Sequence, residues 1–320
     1  MSASESLFGG VVLIIKYYDP LTFETKGVIT KAKSVVWNKK FYTYGTFDLE
    51  IDENVLSVND IIYHNGNAGI VMQVVRNLRT VKVSGYDLKG ITKFRHLFEL
   101  TDYSGKSEKI VKDIATQFLN TGDRKIDGMS IVPDKGTGNS IAISFEDENL
   151  SDVLSKICEQ DEIGYTVDFD ETNIIFDVVK GIDRTDTVVF SRGRKNVEDL
   201  EYTRDNFDYC NVAYYLDENE AIQSEGTATG MLRREGATRD DVITYLAEKK
   251  SVETLRGTAN DKLIYKKDWN LGDYVTVEFE DMITTKQITE VQEVHEPNRN
   301  MVIPVFGSEK ENIIKKIMRG

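Results

Sequence analysis

The residues that could do chemistry in this chain are few and scattered. His64, His96 and His295 fall at a turn, near a strand start and at a strand end, which is poor material for a nucleophile triad or a zinc site. Each is read as structural. Cys158 and Cys210 lie far apart, give neither a CxxC metal pair nor a disulfide framework, and read as small buried hydrophobes. Asp168-Phe169-Asp170-Glu171-Thr172-Asn173 looks like the first half of a calcium loop, but the sixth position is not Gly and the twelfth is Val179. It reads as an acidic hairpin turn. Gly136-Thr137-Gly138 has no third, helix-opening Gly and no acidic partner for a dinucleotide, so it reads as a flexible loop. Arg233-Arg234 could grip a carboxylate or phosphate; a solvated loop charge or a subunit-interface ion pair is the plainer account. There is no GxxxxGK(S/T) phosphate loop, no HExxH and no GxSxG. The 54 acidic residues supply carboxylate pairs for glycoside hydrolysis, yet nothing in the sequence singles one out. No catalytic residue, cofactor or metal ligand is therefore expected.

The elements that carry these residues are mostly strands. From Val11 to about Leu100 short apolar or alternating runs are separated by turns at Asp19-Pro20, His64 to Asn67 and Arg76-Asn77. Thr43 to Ile51 alternates, with Phe47, Leu49 and Ile51 on one face. After Gly105 the text changes. Ser107 is placed to cap a helix with Ile110, Val111, Ile114, Ala115 and Phe118 on one stripe, and Asn149 to cap a second, with Asp152 near for a capping-box-like contact. A hairpin from Tyr165 to Val179 completes a compact α+β insert. Strands return over Thr187 to Phe190, Val197 to Tyr202 and Tyr209 to Leu216. A polar connection and one helix, about Arg239 to Leu255, lead to a final meander. There Val275, Val277 and Phe279 share a face, and the apolar phase slips between Ile288 and Val291 as a β-bulge would make it. Pro304 suggests an edge or a bulge. A short amphipathic tail carries Ile313, Ile314 and Ile317.

The meander has a counterpart near the start of the chain. Asn59-Asp60-Ile61 parallels Gly272-Asp273-Tyr274, Gly69-Ile70-Val71 parallels Gln287-Ile288-Thr289, and Val81 to Gly85 parallels Ile303 to Gly307. Loop lengths differ, so this is either two related β modules or a coincidence of meanders.

At 320 residues two or three domains are expected. The net charge of −14 argues against a free-standing nucleic-acid binder, because phosphate neutralisation needs basic surface. No apolar run reaches the length of a membrane span, and the first residues lack a secretory signal's basic and apolar regions. The chain is thus expected to be made and folded in a cytoplasm, or carried out by something else.

Several segments together resemble the Gp37-like tail proteins of long-tailed phages. They are Val83 to Gly90, Leu150 to Tyr165, Phe176 to Thr185, Val189-Phe190-Ser191 with Asn196-Val197, Asn211-Val212-Ala213, Arg233-Arg234-Glu235 and Leu271 to Val275. The likeness runs from about Gly9 to Ser308; the hairpin Asp217 to Gly226 departs from it, where the family often carries a Gly-rich segment. The resemblance implies a mainly β, α+β fold of two related tail-tube-like β-barrels with an α+β insert and a short helical insertion. Its divisions would be a first barrel over 1–105, the insert over 106–185, the second barrel over 186–225 and 268–308, a loop and helix insertion over 226–267, and a tail over 309–320. It further implies a structural, non-enzymatic hub of a phage tail or phage-tail-like bacteriocin, forming a homotrimeric pseudo-sixfold ring. Tail tube or distal tail protein would lie on one side, spike or tip protein on the other, with the tape measure protein a further contact. No sequence-specific nucleic-acid binding and no membrane anchor would be involved. Assembly would take place in the bacterial cytoplasm. A tail-associated cell-wall hydrolase and a receptor-binding tip protein are the alternatives.

Overall fold

The computed structural model describes residues 13–239, 241–297 and 299–307. Val11 and Val12 of the first apolar run, Asn298 of the last turn and the Ile313, Ile314 and Ile317 tail lie outside the described residues. The first module contains β1 (Ile15–Tyr18), β2 (Thr25–Ile29), β3 (Ala32–Lys40), β4 (Thr46–Ile51), β5 (Ile61–His64), β6 (Asn67–Arg76) and β7 (Val81–Asp87), in the spatial order β3-β4-β7-β6-β5-β1-β2. The alternation in β4 does what a two-residue period requires: Phe47, Leu49 and Ile51 point inward onto Val35, Trp37, Val71 and Val83, while Asp48 and Glu50 face out. Gly85 in β7 lies opposite Phe47, and a Cβ there would sit 1.9 Å from the carbonyl oxygen of Ile70, so only glycine lets β6 approach.

A 3-10 helix, Leu88–Phe94, leads into the insert: β8 (His96–Leu97), β9 (Thr101–Lys106), α1 (Ser107–Leu119), β10 (Met129–Ile131), β11 (Ser140–Phe145), β12 (Glu148–Asn149), α2 (Leu150–Gln160), β13 (Ile163–Phe169) and β14 (Ile174–Lys180). Strands β10, β14 and β13 form one sheet, with β9–β11 and β8–β12 as small ribbons. The apolar stripes of both helices share a core with Phe145, Tyr165 and Phe176. Asn149 caps α2 as its sequence predicts, accepting from the Ser151 amide at 3.0 Å, whereas Asp152 takes only the Ser151 hydroxyl. Ser107 departs from its expected role. It is the first residue of α1, without a side-chain cap at the preceding Lys106, and its hydroxyl donates instead to Asp161 at the end of α2.

The second module contains β15 (Val189–Ser191), β16 (Val197–Asp205), β17 (Val212–Leu216), β18 (Ile222–Glu225), β19 (Glu235–Ala237), α3 (Val242–Glu248), β20 (Val252–Ala259), β21 (Tyr274–Phe279), β22 (Met282–Glu296) and β23 (Arg299–Phe306). Its order is β15-β21-β22-β23-β20-β16 around Phe190, Leu255, Trp269, Val277 and Phe306. Three expectations are corrected here. The strand at Tyr209 to Leu216 leaves the module: β17 pairs with β18 and β19 in a separate three-stranded sheet. Together with α3 this forms an arm between β16 and β20. The helix expected from Arg239 to Leu255 shrinks to α3, and Leu255, which fits its apolar stripe, belongs to strand β20. Pro304 is at neither an edge nor the bulge. It lies in an interior strand opposite Val291, and the β20–β23 pairing skips from Arg256↔Val305 to Ala259↔Val302 around it, as a residue without an N–H allows.

The two modules match in detail. The pairs Ile61↔Ile70, Val71↔Gly85 and Phe47↔Gly85 of the first correspond to Tyr274↔Gln287, Ile288↔Phe306 and Leu255↔Phe306 of the second. Each copy has its bulge at the same place, after Val71 and after Ile288. Asn59 and Gly272 both adopt positive φ, 74° and 95°. The following aspartates, both buried, each accept from the amide three residues earlier, Ser57 and Asn270. The sequence parallel is real but two of its registers move by one residue: Val71, not Ile70, matches Ile288, and Gly85 matches Phe306, not Gly307. The core side chains trade size in compensation, Phe47 over Gly85 in one copy and Leu255 against Phe306 in the other.

Candidate functional site

The candidate functional feature is the joint between the two modules. Strand β22 is fifteen residues long. Its first part pairs with β21, and from Glu290 to His295 it pairs with β3 instead, antiparallel, from Glu290↔Lys40 to His295↔Val35. One sheet therefore runs through both modules. Across the seam Gln292 donates to Asn38 at 2.7 Å and Lys40 approaches Glu290 at 3.3 Å.

A buried polar cluster sits on this joint. Glu293, only 3% exposed, accepts from the Asn67 amide at 3.2 Å and faces Lys266 at 3.4 Å and His295 at 3.7 Å. The Asn67 carbonyl oxygen accepts from Lys39 at 3.0 Å. Burial disfavours charge on Glu293, but His295, Lys266 and Lys39 outweigh it and hold the carboxyl at about 2. The His64 and His295 rings meet edge to face, 5.0 Å apart, and burial lowers the His64 pKa. The sequence scatters the three histidines; the fold brings these two together, while exposed His96 pairs with Asp147 at 2.9 Å.

Beside the cluster, a cavity of about 360 Å³ lies where both modules meet the insert, between Trp37, Lys39, Lys89, Tyr165, Lys266 and Asp273 among others. Lys89 donates to the carbonyls of Lys40 and Phe41 at 2.8 and 2.9 Å and lies 4.3 Å over the Tyr165 ring. Burial pushes its ammonium down to about 8, and burial likewise raises the carboxyl of Asp87. Below, Asp273 ties the insert to the second module: it accepts from the Ile182 amide at 2.8 Å, the Asn270 amide at 2.9 Å and Arg184 Nε at 2.7 Å.

These groups lock elements together and offer no nucleophile paired with a base. Burial pushes the Cys158 thiol up to about 12, which leaves it an unreactive core residue. Around the acidic turn, Asp170 accepts from the amides of Thr172 and Asn173, and Glu171 takes Lys16 at 2.6 Å and the Tyr18 hydroxyl at 2.7 Å, fastening the insert to β1. The glycine loop is not loose. Glu108 accepts from the amides of Lys135 and Thr137, and Asp161 from that of Asn139. Arg233 contacts Glu235 and Tyr214 within the arm. Among the described residues no group of three or more His, Cys, Asp or Glu is arranged to hold a metal ion. Nor is any helix among the described residues long and apolar enough to cross a membrane. Sequence reasoning missed Lys89, Asp87, Asn67 and Glu293, because only pairing between distant strands buries them.

The fold is thus two related β modules joined edge to edge, with an α+β insert between them in sequence. Solved structures share it. A prophage MuSo2 43 kDa tail protein from Shewanella oneidensis matches with TM-score 0.59 at 11% identity, over 92% of this chain and 98% of that one. Prophage tail protein gp18 from Listeria monocytogenes EGD-e matches with TM-score 0.57 at 12% identity, over 96% and 100%. A tail protein from Neisseria meningitidis MC58 matches with TM-score 0.57 at 13% identity, over 94% and 97%. A search of curated proteins finds no match. The family model described as Siphovirus ReqiPepy6 Gp37-like protein matches residues 14–236 and 240–308, and the chain belongs to that family.

Proposed function

We propose that this protein is the structural hub of a phage tail or phage-tail-like particle. Three copies form a ring of six related modules, which joins a sixfold tail tube to a threefold spike or tip. One observation carries the reading: a single chain presents two copies of one β module, fused through β3 and β22 into a continuous sheet. A symmetric ring of three such chains is threefold in sequence and nearly sixfold in shape, which is what an adaptor between those symmetries requires. Membership of a phage family and a fold shared with phage tail proteins support the same role. In this reading 1–105 and the strands of the second module form wall, the insert and the arm reach spike, tape measure or a neighbouring subunit, and no active site is needed. The surplus of acidic residues would keep passing DNA off the wall by repulsion. Assembly would take place in the bacterial cytoplasm and the mature location would be the tail. Native mass measurement and imaging of purified particles test this: trimers, and rings at the tube–spike junction, are expected. A monomer at high concentration that never enters a tail overturns it.

A further inference from the structure

The match between modules identifies surfaces that are used once and left open once. In β22 the residues after the bulge, Glu290 to His295, pair on one side with β23 and on the other with β3. The matching residues of β6, Gln73 to Arg76, pair on one side with β7. Their other side meets no strand among the described residues, since β5 stops at the Ile70 register. The matching strand of β3 is β16, because Trp37↔Phe47 corresponds to Tyr202↔Leu255. Its outer side likewise meets no strand among the described residues. One chain therefore carries both halves of a second joint and cannot make it with itself in the way β22 and β3 do, because these strands lie at opposite ends of the run β6-β7-β4-β3-β22-β23-β20-β16.

We propose that β6 of one subunit pairs antiparallel with β16 of the next, repeating between chains the junction that β22 and β3 make within one. This inference rests on the ring reading above and specifies its interface. The internal junction also fixes the register. Glu290↔Lys40, Val291↔Lys39, Gln292↔Asn38 and Glu293↔Trp37 translate into Gln73 opposite Asp205, Val74 opposite Arg204, Val75 opposite Thr203 and Arg76 opposite Tyr202. The chemistry of those pairs is compatible. An amide meets a carboxylate, a guanidinium meets an aromatic face, and no like charges lie opposite each other. Val75 is 44% exposed in the single chain, although its strand is a main wall element. Unpaired strand edges of this kind are templates for another chain, and a closed ring removes them. A heterologous contact that closes after three copies also avoids the open filament that the same edges would otherwise nucleate.

Cysteine pairs test the register. Directly opposed residues of an antiparallel pair have Cα atoms about 4.5–5.5 Å apart, within disulfide range, and the native Cys158 and Cys210 are both buried. The double variants V75C/T203C and V74C/R204C, oxidised at the trimer concentration, are expected to give covalent dimers and trimers that reducing agent dissolves. Each single variant, and the shifted pair V75C/Y202C, should cross-link at least tenfold less. The native mass of the same samples before oxidation separates the two ideas. A trimer in which neither matched pair cross-links above the shifted pair overturns the seam and leaves the ring standing. A monomer overturns the ring, and the seam with it.

Discussion

Replacing Asp273 by alanine removes the one side chain that holds three donors where the insert enters the second module. Asp273 is 2% exposed, so its loss takes the acceptor from the part-buried amide hydrogen bonds of Ile182 and Asn270 and leaves Arg184, whose side chain is 26% exposed, without its carboxylate. Losing a part-buried hydrogen bond to a charged acceptor costs up to about 1.5–3 kcal/mol, and breaking a largely buried ion pair about 3–5 kcal/mol. The guanidinium regains some water, so the expected loss for D273A is about 3–5 kcal/mol in all. The matching aspartate of the first module makes an internal control. Asp60 accepts from the Ser57 amide and from Lys26, whose side chain is 38% exposed and recovers hydration more readily. D60A is therefore expected to lose only about 1–3 kcal/mol. Urea unfolding followed by circular dichroism gives the ranking, and amide hydrogen exchange at Ile182 and Asn270 locates the loss. A D273A protein within about 1 kcal/mol of wild type, or a D60A protein less stable than D273A, would refute the argument.

Three further outcomes follow from the same geometry. V277P should abolish assembly, because Val277 is fully buried in β21 between Phe190 of β15 and Thr284 of β22 and proline removes a ladder donor; normal particles from this variant would remove β21 from the wall. The depressed pKa of Glu293 contributes stability that is present above its unfolded value of about 4.3 and is lost as pH falls toward about 2; E293Q should flatten that part of the acid-unfolding curve, worth up to about 3 kcal/mol. Lys89 acts with the same sign in an alkaline window. Its folded pKa of about 8 lies below the unfolded value, so the unfolded chain binds more protons between about 8 and 10.4 and the fold gains stability as pH rises through that window. The difference in urea midpoint between wild type and K89M should shift toward wild type from pH 7 to pH 10, and a difference that stays constant would remove the titration of Lys89 from the account.

Local signals in the sequence were faithful where one strand or one turn decides the outcome. The phase slip at Ile288 is a bulge, Asn149 is a cap, and the alternation from Phe47 to Ile51 is an inner face. Legibility stopped where pairing partners are distant. Leu255 satisfies a helical stripe and a strand face equally well, and only its pairing with Tyr202 and Phe306 decides between them. Strands β17 and β18 have ordinary strand sequences, which say nothing about the sheet they join. The repeat was visible through Asp60 and Asp273, but turn lengths that differ between the copies displaced two registers by one residue. The candidate site was the least legible part. His64 meets His295, Asn67 meets Glu293, and Lys89 reaches two backbone carbonyls only after strands from opposite ends of the chain have paired.

The length of β22 has a mechanical consequence. The same continuous backbone is a core strand of the second module and the edge to which the first is stitched, so tilting one module against the other would shear consecutive rungs from Glu290↔Lys40 to His295↔Val35 together. Load applied to either half passes through hydrogen bonds pulled in parallel, not through a flexible connector. The chain is therefore expected to move as a single stiff plate, and in the proposed ring any widening of the passage is expected at the boundaries between chains.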